Sequence, residues 1–256
     1  MPISRSAPIS FTSPMTHTLF EVPIRVTGPP GIYSVSAYGD VRRVYGGVMY
    51  LFARQAVLRG LEAGKWSVDI GAAAAGGLGV DVGVWANALS PGFGTTTWTS
   101  MWSDLGALEK AFAALSSDAT YLALVAEGPQ FINGTIDDLL FEIVYEGSAP
   151  GSQSRYVTTV TAVCAPGNLA RGMMNGIEIA QKVEQVSGVS TAFLAGQTGP
   201  YGGVSWLTGF ENLEAYETAQ HKLTADTKFV EFLDGVTTAY VADPNITQST
   251  LYMRVN

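Results

Sequence analysis

Two stretches decide the reading of this chain: WTSMWSDLGALEKAFAALSSDATY, residues 98–121, and WLTGFENLEAYETAQHKLTADTKF, residues 206–229. Set against each other without a gap, Trp98 meets Trp206, Trp102 meets Phe210 and Leu105 meets Leu213. Further along, Glu109 meets Glu217, Leu115 meets Leu223, Asp118 meets Asp226 and Tyr121 meets Phe229. Self-similarity at a fixed spacing governs the whole fold, so it is weighed before any local signal.

The echo extends in both directions. Upstream, YGGVMYLFA from Tyr45 lies against YVTTVTAVC from Tyr156. Downstream, NGTIDDLLFEIV from Asn133 lies against NITQSTLYMRV from Asn245. The pattern reads as a tandem duplication of a unit of roughly 100 residues, the size of an ordinary small domain. In the second copy, Tyr156–Val163 alternates as a strand, Gly167–Val186 has helical spacing, and Val189–Ala195 and Val204–Thr208 are strands. Asn212 is placed to cap a helix with Glu214 and Glu217 in its early turns, and Thr247–Val255 closes the unit as a strand. The first copy gives the same order: Val44–Ala53, Val57–Ala75, Val80–Ala88, Thr95–Met101, Asp104–Leu115 and Asp138–Tyr145. That order is β-α-β-β-α-β, the ferredoxin-like arrangement.

The expected fold class is therefore α+β: two tandem ferredoxin-like units packed sheet-to-sheet as a fused α/β barrel, preceded by an N-terminal β extension. The expected organisation is an extension over residues 1–42 with a hairpin around Gly28–Gly31, a first unit over 43–146, a Pro/Gly/Ser linker over 147–154, and a second unit over 155–256.

Composition narrows the partners. A net charge of −8 without a basic stripe argues against nucleic acid. Charged residues make up only 14% of the chain, a thinly charged surface that suits assembly, and a homodimer is expected. The longest charge-free run, Val82–Ser103, holds Pro91 and three glycines and does not suit a membrane span. The N-terminal segment lacks the apolar region of a secretory signal, so a soluble, cytoplasmic protein is expected. The single cysteine, Cys164, excludes an internal disulfide and a multi-thiolate zinc site and reads as a small core residue. No His, Cys or carboxylate spacing suggests a metal, and no cofactor is expected.

The architecture and the strand ending in Trp206, the Phe210–Leu213 step and the Leu223–Asp226–Phe229 exit resemble the dimeric α/β-barrel superfamily, nearest its NIPSNAP and antibiotic-biosynthesis-monooxygenase branches. The resemblance implies a barrel holding a small apolar or aromatic molecule, with cofactor-independent monooxygenase-like or isomerase-like chemistry. The alternative is a non-catalytic scaffold or assembly protein that keeps the barrel. The chain departs from those branches where they carry helix Arg or His: it has Phe112 or Ala113 in the first copy and Gln220 and His221 in the second, with Ala219 at the monooxygenase histidine slot. Phe232 and Leu233 stand where the haem degraders place a proximal histidine, so haem held in that fashion is not expected.

No catalytic constellation is legible. Ligand-lining candidates are the paired Trp98 and Trp206 and the paired Tyr45 and Tyr156, each equally open to a core-packing role. His221 sits about 120° from the apolar face of its helix, beside Glu217. A solvated histidine is its ordinary reading, a ligand contact the sharper one. Asp137 and Asp138 read as turn residues, with the alternative that one points into a cleft. The run Gly71–Val80 fails the dinucleotide pattern, because residue 82 is Val and the run follows a helix instead of opening one.

Overall fold

In the computed structural model, residues 48–149 and 154–256 are described. The N-terminal extension, its expected hairpin, and Tyr45 lie outside them.

Eight antiparallel strands close into a barrel with six helices outside it. The strands are β1 (Met49–Leu58), β2 (Gly83–Asn87), β3 (Thr95–Trp102), β4 (Ile132–Tyr145), β5 (Tyr156–Val163), β6 (Thr191–Gly196), β7 (Gly203–Phe210) and β8 (Gln248–Arg254). The helices are α1 (Ala63–Leu78), α2 (Leu105–Leu115), α3 (Ala119–Phe131), α4 (Leu169–Ser187), α5 (Leu213–Ala225) and α6 (Thr227–Val236), with a 3-10 turn at Thr237–Ala239. Around the barrel the order is β1-β3-β2-β8-β5-β7-β6-β4. Each half thus runs 4-1-3-2 in its own numbering, and the halves join edge to edge. Trp85–Asn87 pairs with Arg254–Tyr252 at one seam, and Phe141–Tyr145 pairs with Gly196–Phe193 at the other. Closure of this kind removes the free sheet edges.

Alternation sorts the side chains of each strand. On β1, Phe52, Arg54 and Ala56 face the helices, whereas Gln55 turns inward and donates to Thr97 Oγ1 (3.3 Å) and the Tyr252 hydroxyl (3.2 Å). Trp85 Nε1 closes the lumen further with a 2.8 Å bond to Thr99 Oγ1. The lumen is therefore partly polar, and in each half an aromatic-rich sheet face lies outside it, under the helices.

The registers of the two halves correspond, and they correct the sequence reading in two places. Tyr50 pairs with Trp102 as Tyr156 pairs with Phe210, so the partner of Tyr156 in the repeat is Tyr50, not Tyr45. The strand begins five residues later than its tyrosine and glycine pattern suggested. Second, each half carries two helices after its third strand, not one. Asp118 and Asp226, read only as matching positions, each start a further helix by accepting from the backbone N–H three residues on, Tyr121 and Phe229 respectively. Asn212 caps α5 as expected, accepting from Ala215 N at 2.8 Å.

Gly71–Leu78 belongs to α1, and Gly79 ends that helix in the left-handed region (φ 70°), as Gly188 ends α4 (φ 79°). The two helices therefore correspond residue for residue, Ser67 with Gly176 and Gly71 with Ala180. Asp137 and Asp138 lie within β4 opposite Gln55 and Arg54, not in a turn. Cys164 is buried, and burial pushes its thiol pKa up, as for a core residue.

Candidate functional site

The space between sheet and helices differs between the halves. In the first half, the outer face of β1, β3 and β4 and helices α1, α2 and α3 enclose a cavity of about 580 Å³. Aromatic side chains make its walls. Phe52 meets Phe112 edge-on with ring centres 5.0 Å apart, and Trp66 meets Trp98 edge-on at 6.1 Å. Both indole N–H groups are already spent on helix carbonyls: Trp98 Nε1 donates to Ser67 O (2.8 Å) and Trp66 Nε1 to Leu124 O (3.0 Å). The tryptophans therefore offer a ligand only their apolar surface, and they pin α1 against β3 and α3.

One charged group lines this apolar wall. Arg54 is held by Asp138, its Nε and Nη2 donating to the two carboxylate oxygens at 2.7 Å each, while Nη1 reaches the Tyr121 hydroxyl at 3.4 Å. The bidentate bond to Asp138 raises the pKa of the guanidinium, against the opposing effect of burial, and keeps it charged. Tyr121 is oriented from the α3 start through the Asp118 cap.

In the second half the corresponding space is filled. Phe193 is fully buried and packs on Trp206 (5.3 Å), which meets Tyr240 edge-on at 5.5 Å. The Tyr240 hydroxyl donates to Gly172 O at 2.6 Å, and burial pushes its pKa well up. Trp206 Nε1 donates to Gly176 O at 2.8 Å, the counterpart of Trp98 on Ser67. A Cβ on Gly176 would overlap the Phe193 ring, which is why the helix has glycine there and serine at position 67. The registers assign the substitutions: Val84 opposes Trp98 where Phe193 opposes Trp206, and Arg54 opposes Trp98 where Val160 opposes Trp206. The caps set Tyr121 against Phe229, and the same spacing sets Gly128 against Val236. Val160 and Val236 both pack against the second-half core.

Of the sequence candidates among the described residues, the structure brings only Trp98 to the cavity. Trp206 is 7% exposed and lies in the filled core. Tyr156 stands at the start of β5 with the Arg155 guanidinium 5.9 Å over its ring. His221 is exposed on α5, which belongs to the other half. Arg54, Asp138, Tyr121, Phe52 and Trp66 were not on that roll. A signal for Arg54 was present: it is the only charged residue in Met49–Leu58 and shares a strand face with Phe52 and Ala56. Asp138 does not line the cavity and reaches it only through Arg54. Among the described residues no three His, Cys, Asp or Glu side chains cluster to hold a metal, and no helix is long and apolar enough to cross a membrane.

No protein-family model matches the sequence, and no curated protein matches it. Solved structures do match. A Fusobacterium nucleatum protein provisionally named a monooxygenase superposes with a TM-score of 0.58 at 10% identity, over 82% of this chain and 94% of that one. An anthrone oxidase-like protein gives 0.56 at 14%, over 81% and 92%. This chain shares the α/β-barrel fold of these structures. A Lactobacillus acidophilus protein, also provisionally named a monooxygenase, gives 0.53 at 7% over 81% and 94%. At such identities the likeness concerns the fold and leaves the chemistry to the site.

Proposed function

We propose that this α/β barrel binds a small, largely apolar molecule in its first-half cavity and acts on it as a monooxygenase-like enzyme. One observation carries the reading: a cavity of about 580 Å³ holds a charged group where the other half, built on the same frame, is filled by hydrocarbon. That volume lies within the range of small-molecule sites, about 300–1,000 Å³, and its few polar groups converge as such sites require. A barrel that needed only a packed interior has its solution at hand in Phe193, Val160 and Val236.

The neighbours named as monooxygenases and as anthrone oxidase-like suggest the reaction class. For an anthrone-type substrate, a ring CH2 beside an activated carbonyl system loses a proton, and O2 oxidises the resulting anion. One oxygen atom enters the product as a new carbonyl and the other leaves as water. The cavity contributes an aromatic-walled slot that orients the ring system, and Arg54 with the Tyr121 hydroxyl stabilises the anion formed as the proton leaves to solvent. Trp98 supplies wall, not a proton. The matching registers further support descent of the halves from one duplicated β-α-β-β-α-α-β unit, and assembly into a homodimer fits the sparse surface charge.

The test has two stages. Native mass spectrometry of protein from its own host, with a denatured control, is expected to show a small molecule released on unfolding. Oxygen-electrode assays with anthrone are then expected to show one O2 taken up per substrate. Binding without uptake would leave a binding protein. A clean unliganded mass together with no probe binding would favour the scaffold reading.

A further inference from the structure

The charged end of the cavity has donors left over. A guanidinium carries five N–H groups in a fixed planar fork. In Arg54, Nε and one N–H of Nη2 go to Asp138 and one N–H of Nη1 goes, over a long 3.4 Å, to Tyr121. Three are used, and one on each terminal nitrogen is not. Both Asp138 oxygens, by contrast, are engaged by Arg54. The site therefore has spare donors and a committed carboxylate.

That balance constrains what can fill the space. A plain hydrocarbon would strip water from two guanidinium N–H groups and give nothing back, a penalty of the kind that leaves buried polar groups rare. A cation would face the guanidinium, with its only counter-charge already paired. Water alone satisfies the donors but leaves the walls of Phe52, Phe112, Trp66 and Trp98 wet.

We infer that the ligand is an amphiphilic organic anion, an apolar ring body carrying one ionised oxygen group, carboxylate or enolate, received by the unused N–H groups of Arg54. Asp138 is then a positioning residue: it fixes the guanidinium plane from the far side, so that the terminal N–H groups stay at the cavity. Tyr121 adds a hydroxyl beside them. The second half supports the assignment as an internal control. With Val160 and Phe229 in these positions the frame folds without the charge, so the ion pair is not demanded by the barrel.

The inference rests on the cavity being a ligand site, and the experiment separates the two. Binding of three matched probes, 2-naphthoate, 2-methylnaphthalene and 2-naphthylmethylammonium, is followed by tryptophan fluorescence at neutral pH. Naphthoate is expected to bind at least about 10-fold more tightly than 2-methylnaphthalene, the size of one charge-assisted hydrogen bond, with the ammonium weakest. Arg54→Met is expected to erase the preference for naphthoate while 2-methylnaphthalene binds as before, which also shows that the variant is folded. Arg54→Lys, keeping charge without the fork, is expected to fall between. Equal binding of anion and hydrocarbon by the unaltered protein would overturn the inference and leave the cavity reading standing. So would an equal loss of both in Arg54→Met when Arg54→Lys binds both normally. Binding of none of the probes would overturn both.

Discussion

The two halves of this barrel are built on one frame and solve its central packing problem in opposite ways. Trp98 and Trp206 stand at matching positions and donate to matching helix carbonyls. Around Trp206 the space is closed by Phe193 and Tyr240, whereas around Trp98 it stays open over about 580 Å³. Three exchanges account for much of the contrast: Val84 for Phe193, Gly128 for Val236, and the Arg54–Tyr121 pair for Val160 and Phe229. The lesson is a division of labour. One half is anchored by a filled core, and that anchor lets the other hold a cavity without losing the closed barrel.

The largest expected effect tests this division directly. Trp206→Ala removes a ring packed on two aromatic neighbours in a core without slack and is expected to cost about 3–5 kcal/mol. Trp98 already has the cavity on one side, so Trp98→Ala is expected to cost roughly half as much. Denaturant unfolding of both variants gives the two figures. Equal costs would mean that the halves do not differ as anchor and site.

Next comes conversion of one half toward the other. Arg54→Val with Tyr121→Phe gives the first half the second half's residues at the charged end. A part-exposed ion pair contributes only about 0–1 kcal/mol, so stability is expected to change by no more than that, while the preference for naphthoate over 2-methylnaphthalene is lost. A large destabilisation would show the pair to be structural after all.

A smaller comparison uses the helix caps. Asp118→Ala and Asp226→Ala each remove an N-cap carboxylate and are each expected to cost about 1 kcal/mol. Only Asp118→Ala should also weaken probe binding, because only α3 positions Tyr121 beside Arg54. Calorimetric titration alongside thermal unfolding separates the two effects.

Much of the frame was legible in the sequence because it is written in local chemistry. Tyr156–Val163 alternates and is β5, residue for residue. Asn212 caps α5, and the Trp98–Trp206 echo marks β3 and β7. The third helix of each half was not legible. In α3, ATYLALVAEGPQF is apolar on most sides and includes Gly128 and Pro129, so it shows no clean amphipathic stripe. The cavity was hidden for a different reason. It depends on side-chain volumes compared at the right register, and Tyr45 drew the first strand five residues out of place. In that frame Arg54 faces Ala165 instead of Val160, and the exchange that marks the site disappears. His221 and Trp206 stood out as rare or repeated residues, yet rarity says nothing about which half is open.

The smallest effect concerns a clasp that only the filled half possesses. Glu184, near the end of α4, accepts from the Tyr145 hydroxyl (2.6 Å), Ser148 N (2.7 Å) and Thr191 N (2.9 Å). It ties β4, the residues after it, and β6 to one carboxylate. Its counterpart in α1 is Ala75, which can accept nothing by its side chain. Burial pushes the Glu184 pKa up, but the three donors outweigh it, and the net shift is downward. A carboxylate whose pKa is lower folded than unfolded adds stability above its unfolded value, near pH 4.3, and loses it as pH falls through the folded value. Glu184 is half-buried and still reached by solvent, so screening holds the contribution to about 1 kcal/mol. Glu184→Gln is therefore expected to lower stability slightly at pH 7 and to lose less than the parent protein between about pH 5 and pH 3. The two unfolding curves should approach each other in acid. If they stayed parallel from pH 7 to pH 3, the clasp would hold by packing instead of by charge, and the seam between β4 and β6 would owe nothing to the carboxylate.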